Sequence, residues 1–241
     1  MHRQPHPYEI NGKTYKGEFF YDIEQQTKRP GILVAHAWRG LDGFAKQKAK
    51  ALAALGYVGM AIDLYGNGKV ANSNEEAFEL MQPLFLDRKE LRARISAAYT
   101  ELCNHPLVDS ARTGAIGFCF GGLSALELLK SGAPVKGVAT FHAVIGDTLT
   151  DQTARLEPNF ANSSSSLLLL HGANDPLVKE SELMALGSEL TEAKVDWQFN
   201  IYGLTSHAFT NPDANEPGLQ FNAKANARSW IAMKNYFEEV F

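Results

Sequence analysis

An α/β fold, with a mostly parallel central sheet flanked by helices on both faces, is predicted by three observations. Short apolar runs alternate with longer amphipathic ones along the 241 residues, as a succession of βαβ units requires. Several short runs are nearly unbroken Val, Ile, Leu and Ala, the pattern of strands covered on both faces. Composition is the third: 45% hydrophobic and 21% charged residues describe a folded chain rather than a disordered one. The length is ample for a sizeable core, and no repeat or linker divides it, so residues 1–241 are read as a single domain.

The elements follow in order. Residues 15–21 are read as an extra strand at the antiparallel edge, and 31–37 as the first long strand. In a helix at 44–55, Ala45, Ala49, Leu52 and Ala53 share one face opposite Lys46 and Lys50, and Gly56 is placed to cap it. A strand at 57–64 comes next. The stretch 74–105 is too long for one regular helix, and Pro83 is expected to divide it. The strand at 113–118 leads into a helix at 120–130 that is apolar almost all round, as in a helix buried against a sheet. Strands at 135–141, 166–170 and 195–202 and a helix at 179–193 continue the alternation. The serine run 163–166 reads as a flexible surface loop. A helix at 221–240 closes the chain, with Trp230, Met233, Phe237 and Val240 on one face.

Several function classes recede at once. Lys plus Arg is 23 and Asp plus Glu is 27, a net charge of -4, which argues against nucleic acid or an anionic membrane as partner. The longest apolar runs are strand-length, too short to span a bilayer, and residues 1–15 carry no signal-peptide pattern; a cytoplasmic location is expected. Two cysteines, Cys103 and Cys119, cannot build a disulfide framework or a four-cysteine zinc site. No histidine–carboxylate spacing suggests a metal and no glycine-rich loop suggests a phosphate, so neither metal nor cofactor is expected. The oligomeric state is open, and a monomer is compatible with the sequence.

Sites in parallel sheets sit at the carboxyl ends of strands, which selects the residues to inspect. The strand at 113–118 runs into Gly117-Phe118-Cys119-Phe120-Gly121-Gly122. A central nucleophile between small residues at 117 and 121 is the cysteine form of the nucleophile elbow. Its steric basis is a sharp strand-to-helix turn whose neighbours must lack bulk. The turn places Cys119 at a helix N-terminus, whose dipole and N–H groups favour a negatively charged sulfur. The competing reading is a buried cysteine in a glycine-rich turn. Chain order separates the two, because in this arrangement an acid and then a histidine follow the nucleophile. Asp175 lies just past an apolar strand, and His207, in the loop after the last strand, is the one histidine beyond it. Asp175 as a turn or N-cap residue and His207 as a surface histidine are the alternatives, but three residues at three strand ends in the required order favour a triad. Asp63 and Cys103 read as structural, a hydrogen-bonding carboxylate and a buried core cysteine, and His36 as ambiguous.

Together these stretches resemble the dienelactone hydrolase family of the α/β-hydrolase superfamily: GILVAHAWRG at 31–40, AIDLYG at 61–66, the elbow at 117–122, HGANDPLV at 171–178 and SHAF at 206–209. The resemblance implies Cys119 as nucleophile, His207 as general base and Asp175 as the acid that orients it. It also implies an oxyanion hole from the backbone N–H groups of Phe120 and Trp38. Departures accompany it. Ala37 stands where the typical member has a glutamate that interacts with the nucleophile. Ala208 and Asn211 stand where members acting on dienelactone carry a serine and an arginine, which removes the cation that would hold a substrate carboxylate. Arg39 near the mouth is a candidate replacement, with an exposed arginine as the alternative; Ala37, Tyr65 and His142 are the other candidate pocket residues. The expected activity is hydrolysis of small activated esters or lactones through a thioester, with no nucleic-acid or membrane partner. The alternative is a non-catalytic or redox-sensing protein on the same fold.

Overall fold

The computed structural model describes residues 1–146, 157–160 and 164–241. Its frame is an eight-stranded sheet in the order β1-β2-β4-β3-β5-β6-β7-β8. The strands are β1 (His2–Ile10), β2 (Lys13–Tyr21), β3 (Arg29–Ala35), β4 (Val58–Ala61), β5 (Val108–Phe118), β6 (Gly137–Phe141), β7 (Ser166–Gly172) and β8 (Asp196–Tyr202). From β4 to β8 all neighbours are parallel, whereas β1–β2 and β2–β4 are antiparallel. This is the α/β-hydrolase type of fold. The helices are α1 (Gly43–Ala54), α2 (Asn74–Leu86), α3 (Arg88–Asn104), α4 (Phe120–Leu129), α5 (Glu180–Glu192) and α6 (Ala223–Val240).

Alternation along the strands creates two cores. In β7, Leu167 and Leu169 face the side covered by α3, α4 and α5, while Leu168 and Leu170 face the side covered by α1 and α6. Ile32 and Val34 of β3 join the second core as Leu33 and Ala35 join the first. A strand apolar at every position is therefore needed, because each face has its own hydrophobic cover. All ten residues of α4 are buried, at the centre of this packing.

Four expectations are corrected. The strand at 15–21 is antiparallel but not at the edge, because β1 lies outside it. β1 carries Pro5 and Pro7, which lack N–H donors and are tolerated where one side of the strand faces solvent. Pro83 sits inside α2, and the break between the helices falls at Asp87, which ends one helix and caps the next through a side-chain bond to the Glu90 N–H (2.9 Å). The serine run is not a free loop where the structure describes it. Ser165 and Ser166 are buried, bonded to the Val135 carbonyl and to Tyr236 Oη; residue 163 lies outside the described residues. Cys103 is half-buried rather than enclosed.

The last helix is pinned to the sheet by one hydroxyl. Tyr236 Oη accepts from the Val138 N–H (3.1 Å) and pairs with Ser166 Oγ (2.7 Å), all of it buried. Tyr236→Phe orphans the Val138 N–H and leaves Ser166 Oγ only its longer bond to the Lys136 carbonyl (3.3 Å), so urea unfolding followed by circular dichroism should show a loss of about 1–3 kcal/mol. An unchanged midpoint would mean the hydroxyl carries no net stability.

Candidate active site

The backbone of Cys119 is held in an unusual conformation by its neighbours. Its φ is 55° and its ψ -115°, a region a side chain enters only when the surroundings impose it. Its N–H donates to the Phe141 carbonyl (3.1 Å), and its own carbonyl accepts from Gly122, Leu123 and Val144 (3.0, 3.3 and 3.3 Å). The glycines around it are steric necessities. A Cβ on Gly117 would strike the Gly121 carbonyl oxygen, and one on Gly121 would strike the carbonyl oxygens of Ala35 and His36. That second approach brings the start of α4 against the loop after β3. The N–H groups of Phe120 and Gly121, at the first turn of α4, precede any intrahelical acceptor.

The loop carrying Trp38 is fastened from behind. Tyr65 Oη donates to the Trp38 carbonyl (2.7 Å), and the ring of Tyr65 stacks on Phe120 at 6.2 Å. His36, fully buried, pairs through Nδ1 with the Ala37 carbonyl (2.6 Å) and accepts the Leu64 N–H at Nε2 (3.1 Å). The acceptor role fixes the proton on Nδ1. Asp63 accepts four backbone N–H groups, from Lys16, Tyr65, Gly66 and Gly68. These are positioning contacts, and Tyr65 lies behind the loop rather than in the cavity.

Asp175 and His207 meet across the ends of β7 and β8. Asp175 Oδ1 accepts the Leu177 N–H (2.9 Å), and Oδ2 accepts from His207 Nδ1 (2.7 Å). Both side chains are almost wholly enclosed, at 1% and 2% exposure, so the bond is not diluted by water. His171 Nε2 lies 3.8 Å from the same oxygen, and burial holds its pKa below the ordinary value. The His207 backbone is clamped by a feature the sequence reading missed, the hairpin β9 (Asn215–Glu216) and β10 (Leu219–Gln220). The His207 N–H donates to the Gly218 carbonyl, and its carbonyl accepts the Gln220 N–H. The signal for the hairpin was Pro217-Gly218, a turn dipeptide. His142, with φ 40°, packs edge-on to His207 at 5.0 Å and pairs through Nε2 with Thr210 Oγ1 (2.8 Å). Burial, then the charge on His207, hold His142 neutral.

With Nδ1 given to Asp175, Nε2 of His207 is left for Cys119. That atom makes no hydrogen bond of ordinary geometry, yet the sulfur is near enough to act on the ring. Burial alone would lower the His207 pKa; the electrostatic interaction with Cys119 and then the bond to Asp175 outweigh it, raising it to about 10.

Cys119 and His207 open into a cavity of about 290 Å³. Its wall includes Ala37, Trp38, Arg39 and His142 from the sequence reading, and Phe78, Met81 and Phe85 from α2, Val144 and Leu177, which that reading did not single out. The three α2 residues recur at helical spacing on one face, a pattern visible in the sequence but indistinguishable there from core packing. Arg39 is half-buried rather than exposed, donates to Asn74 Oδ1 (2.6 Å) and lies over the Trp38 ring at 6.0 Å. Among the described residues no group of three metal-ligating side chains converges, and no helix is long and apolar enough to cross a membrane.

The sequence pattern of the dienelactone hydrolase family matches residues 19–241. Among solved structures, m3DLH is 38% identical, with a TM-score of 0.90 over 100% of this chain and 98% of that one. A dienelactone hydrolase-like promiscuous phosphotriesterase, P91, from metagenomic libraries is 36% identical with the same TM-score and coverage. A Bradyrhizobium protein described as a "Probable 2-oxo-3-(5-oxofuran-2-ylidene)propanoate lactonase" is 26% identical over 182 residues, 75% of this chain and 73% of its own.

The coupling between sulfur and imidazole is measurable. In the wild-type protein His207 should stay protonated through neutral pH and lose its proton as pH rises toward about 10. Cys119→Ala removes the first of the forces that raise it, leaving burial opposed by Asp175, so imidazole NMR should show the midpoint fall. An identical titration in both proteins would show that the sulfur does not act on the ring.

Proposed function

The chain belongs to the dienelactone hydrolase family, whose members hydrolyse ester or lactone bonds, and on that premise we propose that it is a cysteine hydrolase of small activated esters or lactones. The observation that carries the reading is the buried pair of Asp175 Oδ2 and His207 Nδ1 at 2.7 Å, with the other ring nitrogen otherwise unpartnered and Cys119 acting on the ring from the same cavity. In this mechanism Asp175 fixes the His207 tautomer and stabilises its cation. The Cys119 sulfur attacks the carbonyl carbon, and the oxyanion that forms is met by the N–H groups of Phe120 and Trp38. As the tetrahedral species collapses, the alcohol or phenol leaves with a proton from His207, and a thioester remains on Cys119. Water, deprotonated by His207, then hydrolyses the thioester and restores the thiol.

The thiol sets the substrate class. Thiolate leaves more readily than alkoxide, so the tetrahedral species from an alkyl ester tends to collapse backwards. Enolate and phenolate compete better, which favours enol-lactones and aryl esters. The cavity wall is mostly apolar: Ala37, Ala208 and Asn211 supply no charge there, and beyond His207 its charged side chains are Asp42 and Arg39, the latter bonded to Asn74. Neutral phosphotriesters are a second class, favoured by the same mostly apolar wall and by the activity stated for the 36% identical relative. The reading includes one domain over residues 1–241 and no cofactor.

Kinetics test this directly. Hydrolysis of p-nitrophenyl acetate should fall by about a thousandfold or more in Cys119→Ala and persist in Cys103→Ala. Iodoacetamide labelling of Cys119 at pH 7 should slow at least about tenfold in His207→Ala. Aryl esters should outpace alkyl esters; equal rates would remove the leaving-group argument. Fast labelling with no turnover across esters, lactones and phosphotriesters would instead favour a thiol sensor on the same fold.

A further inference from the structure

A second cavity, of about 640 Å³, adjoins the one that holds Cys119. The two share Trp38, Arg39, Asp42, Phe44 and Asn211 in their walls, so whatever is bonded to the reacting carbonyl and does not fit inside must extend outward. Their chemistry differs. The inner chamber is enclosed by Phe78, Met81, Phe85, Val144 and Leu177, none of which reaches the outer one. The outer chamber is bounded by Gln47, Asn74 and the chain from Asn211 to Glu216, which follows His207 within a few residues.

His207 lines the inner chamber, and its neighbours Ala208 and Leu219 line both chambers, which orients the substrate. His207 must deliver its proton to the leaving oxygen, so the leaving group lies on the histidine's side of the carbonyl, where residues 211–216 form the wall. The acyl group then takes the apolar inner chamber. Charge in the outer chamber is unbalanced: Asp42, Asp213 and Glu216 stand against Arg39 alone. Arg39 is held by Asn74 Oδ1 (2.6 Å), whose amide also donates to Glu216 Oε1 (3.5 Å). Asp213 and Glu216 are exposed at the rim of this recess, so the net charge acts through water as a modest, salt-sensitive bias.

We infer that the two chambers sort the two halves of the ester, an apolar acyl group inside and the leaving group outside, and that the outer chamber favours a cationic leaving group over an anionic one. This rests on the ester-hydrolase reading above. It also sets the chain apart from an enzyme whose substrate carries a carboxylate on the leaving side.

The test compares aryl butyrates whose phenol bears a para (trimethylammonio)methyl or a para carboxymethyl group, with phenyl butyrate as the neutral member. The methylene insulates the phenol, and alkaline hydrolysis rates correct what difference remains. The cation-to-anion ratio of kcat/KM should exceed about fivefold in the wild-type enzyme. It should fall toward one in Asp213→Asn/Glu216→Gln and, independently of any variant, in about 1 M salt, where the Debye length is about 3 Å. A ratio of one or less in the wild type, or one that neither the substitutions nor salt reduces, overturns the inference and leaves the esterase reading standing. No turnover of phenyl butyrate itself overturns that reading and this inference with it.

Discussion

The close approach of Gly117 to Gly121, and of Gly121 to the end of β3, is the constraint on which the site depends. It forces Cys119 to φ 55°, a conformation that costs on the order of 1–3 kcal/mol and persists only where surroundings over-determine it. They do so here with one donated and three accepted backbone bonds, drawing on β6, the turn after it and α4. The same approach lifts the side chain clear of the strand and aims the first N–H groups of α4 at the space beside it. The proposed nucleophile and one proposed oxyanion donor, the Phe120 N–H, thus come from one turn, with no freedom to drift apart.

The other two members of the proposed triad rest on weaker supports, and the structure multiplies those supports accordingly. Asp175 is placed by a tight turn, its N–H bonded to the Gly172 carbonyl (3.1 Å), directly beyond a fully buried strand. His207 has no element of its own. It is held by the β9–β10 hairpin through its backbone, by Asp175 through its ring, and by His142 edge-on, itself tied to Thr210 three residues further on. A loop so fixed approaches the rigidity of a strand end. It also keeps His142 and His171 neutral beside it, so positive charge in this cluster collects on the ring that faces the sulfur.

What was legible in the sequence follows from which forces are local. β3, β6 and β7 are apolar at consecutive positions because two helical layers cover them, and that pattern needs no knowledge of the partners. β5 begins earlier than its apolar run because the ladder to β3 shifts register at Pro30–Gly31, pairing Pro30 with Asp109 and Gly31 with Thr113. Ser110, Ala111 and Arg112 between them have no partner in that ladder, a tertiary event. Pro83 was misplaced as a divider because it falls late in α2, where the helix is already ending and Asp87 supplies the break. The elbow and the order of Cys119, Asp175 and His207 were readable because their geometry is encoded in glycine spacing and chain order. The α2 wall of the cavity was not, since Phe78, Met81 and Phe85 have the same periodicity whether they cover a core or a ligand.

The alanine at position 37 links these threads. A glutamate there would place a carboxylate against the cavity that holds Cys119, and His207 would answer to it as well as to Cys119 and Asp175. In this chain Ala37 lines the cavity without charge, and the sulfur is the foremost influence raising the His207 pKa against its burial. In the proposed site Cys119 and the His207 imidazole then act on each other directly, and the wall at position 37 leaves apolar room for an acyl group. Cys103 shows what the same side chain is without that setting: half-buried against α3's neighbours, its pKa pushed up by desolvation and lowered only by Tyr99. One thiol is held toward its protonated form by partial burial and the other, in the proposed site, is presented to His207 by the backbone turn that carries it.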